Sequence, residues 1–435
     1  MGATHDVDTS SSIDVLIVGG GIAGVEALLG LREVAGARVR LTLLAAGPDF
    51  VYRPMAVAEP FSVGRAHHVP LADIVADAGA ELLIDTLVAV RDDTRQVQLG
   101  GGGLRGFDAL LVATGARAVA GVEGAVTWWP EGDPESYGGL LRDIDEGYSK
   151  RLAIVIPPGA VWPLPAYELA ILTAGEADAL GHDDVQVTVV TPERAPLSLF
   201  GPEASTALAE ELERAGVHLI TGAVARHADG GLLLEPSGER LDVQRVFAVP
   251  RLIGPAIEGL AADDEGFILT GEDGRVQGTQ RTWAAGDGID GPLKFGGLAT
   301  QQARVAVAAI ARLAGVDDPP DPGEPVVEGR LLVGAHHSRR LRPSGDAKSA
   351  PLWRTEAKVS GEYLPRWLAE HGFAPPTTAA PAAPAAPDEG IPIRRHVRAM
   401  EGAEAQYLFD LRRRYRIHDP AIASLGRAMR NIKSR

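Results

Sequence analysis

The chain has 435 residues, enough for two or three domains at about 150 residues each, and 45% apolar with 23% charged residues excludes fibrous and wholly disordered classes. It contains no cysteine, which excludes structural disulfides, Cys-ligated zinc, iron–sulfur clusters and thiol nucleophiles. The net charge of −16 opposes general binding to nucleic acid, but it is uneven: Ile391 to Arg435 carries 11 basic and 4 acidic residues, net +7, leaving −23 on the rest.

Met1 to Ser12 is polar, and no apolar run approaches the roughly 18 to 20 residues that span a bilayer. A cytoplasmic protein is expected. Ile13 to Val18 is a β-branched apolar run ending in Gly19-Gly20-Gly21-Ile22-Ala23-Gly24, which predicts a buried parallel strand entering a tight turn. Val25 to Val34 predicts a helix and Val39 to Leu44 a second strand, closing a βαβ unit. Leu82 to Val90 and Gln96 to Leu99 predict strands joined by a hairpin at Asp92-Asp93-Thr94, and Phe107 to Thr114 another buried strand.

A second α/β pattern follows, with strands at Leu152 to Ile156, Val185 to Val190, His218 to Ile220 and Val246 to Val249, and helices near Tyr167 to Thr173 and Glu203 to Ala215. Two such blocks imply an α/β protein with two Rossmann-like, doubly wound dinucleotide-binding domains. Ala374 to Pro387 is only Pro, Ala and Thr, a linker composition. Beyond it, Tyr407, Leu408, Leu411, Tyr415, Ile422, Leu425, Met429 and Ile432 fall at helical spacing among arginines, which predicts a tethered basic amphipathic tail. The expected organisation is therefore 13–120 and 271–325 for the two parts of the first domain, 121–270 for the second, 326–373 for a small C-terminal region, 374–390 for the linker and 391–435 for the tail.

Gly19-x-Gly21-x-x-Gly24 between strand and helix suits a dinucleotide. The first glycine permits the turn, the second admits a pyrophosphate, the third allows close packing, and the helix N-terminus offers N–H groups at Ile22, Ala23 and Gly24. Three further motifs occur in order: Leu111-Val112-Ala113-Thr114-Gly115, Thr282-Trp283-Ala284-Ala285-Gly286-Asp287, and Pro292-Leu293-Lys294-Phe295-Gly296-Gly297 before a helix carrying Gln301 and Gln302. Together the four resemble flavoproteins with two dinucleotide-binding domains, the family of glutathione reductase, type II NADH dehydrogenase and sulfide:quinone oxidoreductase.

The resemblance implies noncovalent FAD held by Gly19, Gly21, Ile22, Ala23, Gly24, Ala113, Thr114, Gly115, Gly286 and Asp287. It places Arg53, Pro54, Lys294, Phe295 and Gln301 near the flavin ring. The family's acidic residue after the second strand is replaced by Ala45, with Asp49 nearby but off register. The second domain reads Pro157-Pro158-Gly159-Ala160-Val161-Trp162-Pro163-Leu164-Pro165-Ala166-Tyr167-Glu168 where a nicotinamide-binding relative has its glycines. Proline there removes an N–H donor and fixes φ. This loop resembles that of sulfide:quinone oxidoreductases and flavocytochrome c sulfide dehydrogenases, and Trp162 stands at or near the position of their redox cysteine.

Trp162 either stacks on a planar substrate or plugs the vacated space. Trp162, Lys294, Tyr167 and Glu168 are the candidates for the reacting centre, with Tyr137, Tyr167 and Glu168 open to either proton transfer or helix packing. His67-His68 and His336-His337 lack a third ligand at helical spacing, and no metal is expected. The resemblance implies an FAD-dependent oxidoreductase acting between small-molecule donor and acceptor, a quinone among the acceptors, and the absence of cysteine excludes the cysteine-based sulfide chemistry of that branch. Two alternatives stay open: a reductase using NADH or NADPH through an atypical loop, and a non-catalytic flavin-binding adaptor. The tail offers docking to an anionic membrane at the inner face, to a protein partner, or to the acidic body itself, and self-association into a homo-oligomer is open. No nucleic-acid partner is expected.

Overall fold

The computed structural model describes residues 12–62, 64, 66–129, 134–160, 162–323, 325, 329–334, 337–341, 349–351, 358–359 and 361–373. The expected linker and basic tail lie outside the described residues, as do His336 and most of 342–357.

Two five-stranded parallel sheets form the core. In the first, Thr282–Ala284, Ala109–Val112, Ile13–Val18, Val39–Ala45 and Glu81–Ile84 lie side by side in that order, with Ile13 to Val18 opposite Val39 to Leu44. In the second the order is Val126–Thr127, Arg245–Ala248, Arg151–Val155, Gln186–Val190 and His218–Ile220. Continuous apolar strands follow from burial on both faces. Val15 and Ile17 face the helix-side core, whereas Leu16 and Val18 face the opposite one. Leu152 and Ile154 divide from Ala153 and Val155 in the same way.

Each parallel sheet carries helices on one face and a three-stranded antiparallel sheet on the other, of which the sequence predicts only the Asp92–Thr94 hairpin. In the first domain that layer is Leu87–Arg91, Gln96–Leu99 and Leu104–Gly106. In the second it is Val224–Ala228, Gly231–Glu235 and Arg240–Asp242. The expected single strand over Leu82 to Val90 is therefore two. Asp85 ends the parallel strand by accepting the N–H of Thr86 at 2.7 Å and of Gly101 at 2.9 Å, and the chain then turns into the antiparallel layer.

The two domains are joined by an antiparallel pair, Arg117–Val119 with Arg251–Ile253. The sequence places the return to the first domain at residue 271. Ile257, Leu260 and Ile268 already pack on the first sheet, and Val90 N–H donates to Glu258 O at 2.9 Å, so the return comes soon after this pair. No helix among the described residues is long and apolar enough to cross a membrane.

The C-terminal segment is fastened to the first helix, Ile22–Ala35, by the buried Glu26 and by an exposed pair of Arg366 with Glu33. Glu26 is fully buried and accepts backbone N–H groups from Glu362 (2.8 Å), Tyr363 (3.2 Å) and Leu364 (2.7 Å), at the start of the Leu364–Glu370 helix. Burial pushes its carboxyl above the ordinary value, and these N–H groups oppose that shift. Trp367, on the same short helix, donates its indole N–H to Asp77 at 2.8 Å. Replacing Glu26 by Ala leaves the buried N–H donors of Tyr363 and Leu364 unpaired, and urea unfolding of Glu26→Ala should show a loss of about 3 kcal/mol. A loss below about 1 kcal/mol would mean that the segment is held by apolar contacts instead.

Candidate active-site cleft

A hollow of about 1010 Å³ runs along the carboxyl ends of both sheets, the position at which open α/β sheets bind ligands. Its floor is built by close backbone approach. Gly19 has φ +121°, and a Cβ on it would stand 2.1 Å from Ala113 O; a Cβ on Gly24 would stand 1.8 Å from Gly19 O. A Cβ on Gly21 meets nothing within 4 Å and would project into open space. Gly19 and Gly24 therefore sit in backbone contact, whereas Gly21 faces open space.

Two helix N-termini open on this hollow. The Ile22–Ala35 helix begins after Gly21, and the Gly296–Leu313 helix after Phe295; neither has a side-chain cap. Uncapped N–H groups and the helix dipole attract negative charge. Gly286, at φ +85°, brings the second motif against the first helix, where its Cβ would stand 3.1 Å from Ala23 Cβ. Its N–H donates to Gln302 Oε1 at 2.9 Å. Thr114, Gly115, Asp287, Lys294, Arg53, Pro54, Asp49, Ile22, Ala23 and Phe295 all line the hollow.

Gln301 does not. It is buried with its amide on Gly297 O at 2.8 Å, and neighbouring Gln302 reaches the Gly286 turn instead, a one-residue shift that helical spacing alone leaves undecided. Gly24 lies beneath the floor rather than on it. Ala45 lines the wall where an acid is expected, joined by exposed Asp49 and by Asp85 and Thr86. The last two were missed, although a polar pair directly after an apolar strand marks the carboxyl edge of a sheet.

Charge in the cleft is balanced locally. Burial pushes the Asp287 carboxyl up, opposed by the cations of Lys294 and Arg53. Burial brings the Lys294 ammonium down to about 8, opposed by Asp287, Asp290 and Asp263. Lys294 donates to Ile289 O and lies 4.4 Å from the Phe267 ring centroid. Glu168 is fully buried, accepts Leu332 N–H at 3.0 Å, and pairs with Lys358 at 2.9 and 3.0 Å. Both partners line the hollow. Lys358 stands 190 residues from Glu168, and nothing local in sequence signals the pair.

Trp162 lies in the cleft wall with its ring stacked on Phe295, 4.2 Å between centroids at 12°, and tilted against Phe200 at 5.6 Å. That arrangement supports the plugging alternative. Tyr167 is corrected away from the reacting centre: it is fully buried, and its hydroxyl donates to Glu193 Oε2 at 2.6 Å. Tyr137 is likewise buried, on Thr173 at 2.8 Å. Among the described residues, no group of three or more His, Asp or Glu side chains could hold a metal ion.

The residues present fit FAD. Two uncapped helix N-termini, an open position at Gly21 and a carboxylate at Asp287 supply donors for phosphates and an acceptor for hydroxyls within one hollow.

The sequence profile of the pyridine nucleotide-disulphide oxidoreductase family matches residues 13–311. No curated protein matches the sequence. Among solved structures, the sulfide:quinone oxidoreductase of Aquifex aeolicus superposes with a TM-score of 0.66 at 19% identity, over 75% of this chain and 82% of that one. A NAD-dependent persulfide reductase from A. fulgidus gives 0.56 at 18%, over 75% of this chain and 63% of that one. A ferredoxin reductase from Rhodopseudomonas palustris gives 0.56 at 20%, over 75% and 81%. At these identities the likeness is one of fold.

Glu193 generates a test of the buried network behind the cleft. Burial pushes its carboxyl from 4.5 up to about 7, opposed by hydrogen bonds from Tyr167 and Thr191. A carboxyl raised in the folded state holds its proton there while the unfolded chain has lost it, so stability is full below about pH 4.5 and falls as pH rises toward 7. The loss amounts to about 3 kcal/mol. Glu193→Gln should flatten this fall when unfolding is followed by denaturant titration from pH 4.5 to 8, and an unchanged profile would assign the dependence to another group.

Proposed function

The chain belongs to the pyridine nucleotide-disulphide oxidoreductase family and is a flavin-dependent oxidoreductase, and from that premise we propose that it holds FAD noncovalently in the cleft and serves electron transfer to a quinone without a thiol relay or a nicotinamide nucleotide. The observation that carries this reading is the pair of uncapped helix N-termini flanking the open Gly21 position. FAD, when bound, takes an electron pair from one substrate and gives it to another.

The chain's own residues bind and tune. Backbone N–H groups of the first helix would meet the pyrophosphate, and Asp287 would accept from a hydroxyl of the linking chain. Lys294, held by Ile289 O and the Phe267 ring, keeps a positive charge in the wall lined by Phe295 and Gly296. Together with the N-terminus of the Gly296–Leu313 helix it favours negative charge there. Trp162 and Phe295 stack on one another and exclude water from that side.

The quinone follows the activity for which the Aquifex aeolicus protein is named. Its sulfide does not, since a chain with no cysteine has no thiolate to carry sulfur. Two features weigh against a nicotinamide nucleotide. Pro157, Pro158, Pro163 and Pro165 remove N–H donors around the second-domain turn. Glu193, just past the second strand of that domain, is 3% exposed and bonded to Tyr167 rather than open to a ribose.

Purified protein should be yellow. Anaerobic NADH or NADPH should leave the flavin absorbance unchanged, while dithionite bleaches it. Bleaching by either nucleotide would overturn the nicotinamide-free reading, and failure to bind added FAD would overturn the whole. A Cβ at Gly21 meets no protein atom within 4 Å, and a glutamate there carries negative charge into the open space. Gly21→Glu should therefore keep the melting temperature of the FAD-free protein within about 2 °C while weakening FAD binding by at least about a hundredfold.

A further inference from the structure

The second sheet ends in a wall that none of the FAD-binding residues explains. Trp128 N–H donates to Ala248 O at 2.8 Å, and Val249 N–H to Val155 O at 3.1 Å. The strands ending at Thr127, Ala248 and Val155 therefore run out side by side. A Cβ on Gly121 would stand 2.1 Å from Val249 O and 3.1 Å from Pro157 Cγ, so the rim is closely built. Beyond Pro250 the chain pairs with Arg117–Val119, placing Leu252 opposite Ala118. Trp128, Trp129, Pro250, Leu252, Ala118 and Arg117 all face the hollow.

Trp128 is 7% exposed, but Trp129 keeps 37% of its surface open. A large aromatic ring left open in a concave wall among Pro, Leu and Ala is costly to hydrate and well placed to stack. Trp162, by contrast, is already stacked on Phe295. The wall has little to offer a phosphate chain, since Pro157 and Pro250 bring no N–H. It offers an aromatic face, aliphatic backing and one guanidinium at the edge.

We infer that this crevice binds a planar, largely apolar aromatic molecule of two fused rings, stacked on Trp129 and backed by Leu252 and Pro250. The inference rests on the functional reading above and deepens it: the quinone class is received at the carboxyl end of the second sheet, within the same hollow as the flavin. Trp129 is the specificity-determining residue, and Arg117 meets the polar edge of the ring system.

The test uses full-length, FAD-loaded protein and 2-methyl-1,4-naphthoquinone as probe, with affinity measured by equilibrium dialysis and flavin content by absorbance. Trp129→Ala should weaken binding by at least about tenfold and Trp129→Phe by no more than about threefold. Leu252→Arg should weaken it as Trp129→Ala does, and Tyr148→Ala, on a residue 68% exposed elsewhere, should leave it unchanged. Flavin content should stay the same in all four. Wild-type affinity in both Trp129→Ala and Leu252→Arg would overturn the inference, as would absence of probe binding to flavin-replete protein. Protein that takes up no FAD yet binds the probe through Trp129 would uphold the crevice and overturn the functional reading instead.

Discussion

The cleft depends on one steric fact: the first strand, the first helix and the strand ending at Val112 approach to backbone contact. Gly19 and Gly24 leave no room for a Cβ, at 2.1 and 1.8 Å from carbonyl oxygens. Gly19 N–H is tied to Leu44 O at 2.7 Å, and Ala113 N–H to Val18 O at 2.7 Å. Three strand ends and a helix end are thereby locked into one floor. Everything that faces a ligand in the first domain is placed relative to it. Gly286 can touch the helix at Ala23 only because that helix starts so close to the sheet, and Asp287 follows Gly286 into the hollow.

Around this floor, buried charge is settled by partners distant in sequence. Asp287 has Lys294 and Arg53, Glu168 has Lys358, and Glu26 has three backbone N–H groups. Each solution also does mechanical work. The Glu26 contacts bind the C-terminal segment to the first helix, and Glu168 gathers residues 332 and 358 onto the second domain's helix, Leu164–Ala179. A buried carboxylate with its lone pairs satisfied orders backbone that apolar packing alone would leave with several registers.

The parallel strands were legible because burial on both faces writes a continuous apolar run, as in Ile13 to Val18. The cofactor motifs were legible because glycine is demanded by distance, and distance leaves a trace in spacing. The antiparallel layer of the second domain was less so. Val224–Ala228 carries Arg226 and His227 on an edge strand, and Gly231–Glu235 is three leucines in a row, which alternates poorly. Proximity between Tyr167 and the reacting centre was misjudged because a helix residue next to a cleft residue points elsewhere. Glu168 faces the hollow while Tyr167 turns inward to Glu193. Long-range pairs such as Glu168 with Lys358 leave no local pattern at all.

That last pair bears on how the C-terminal residues are held. Removing the Lys358 ammonium would strand a fully buried carboxylate without its cation, the same carboxylate that accepts Leu332 N–H. Leu332 and Lys358 are thus tied to the second domain's helix through one buried carboxylate at the wall of the hollow, so that loss of either contact is felt by the other.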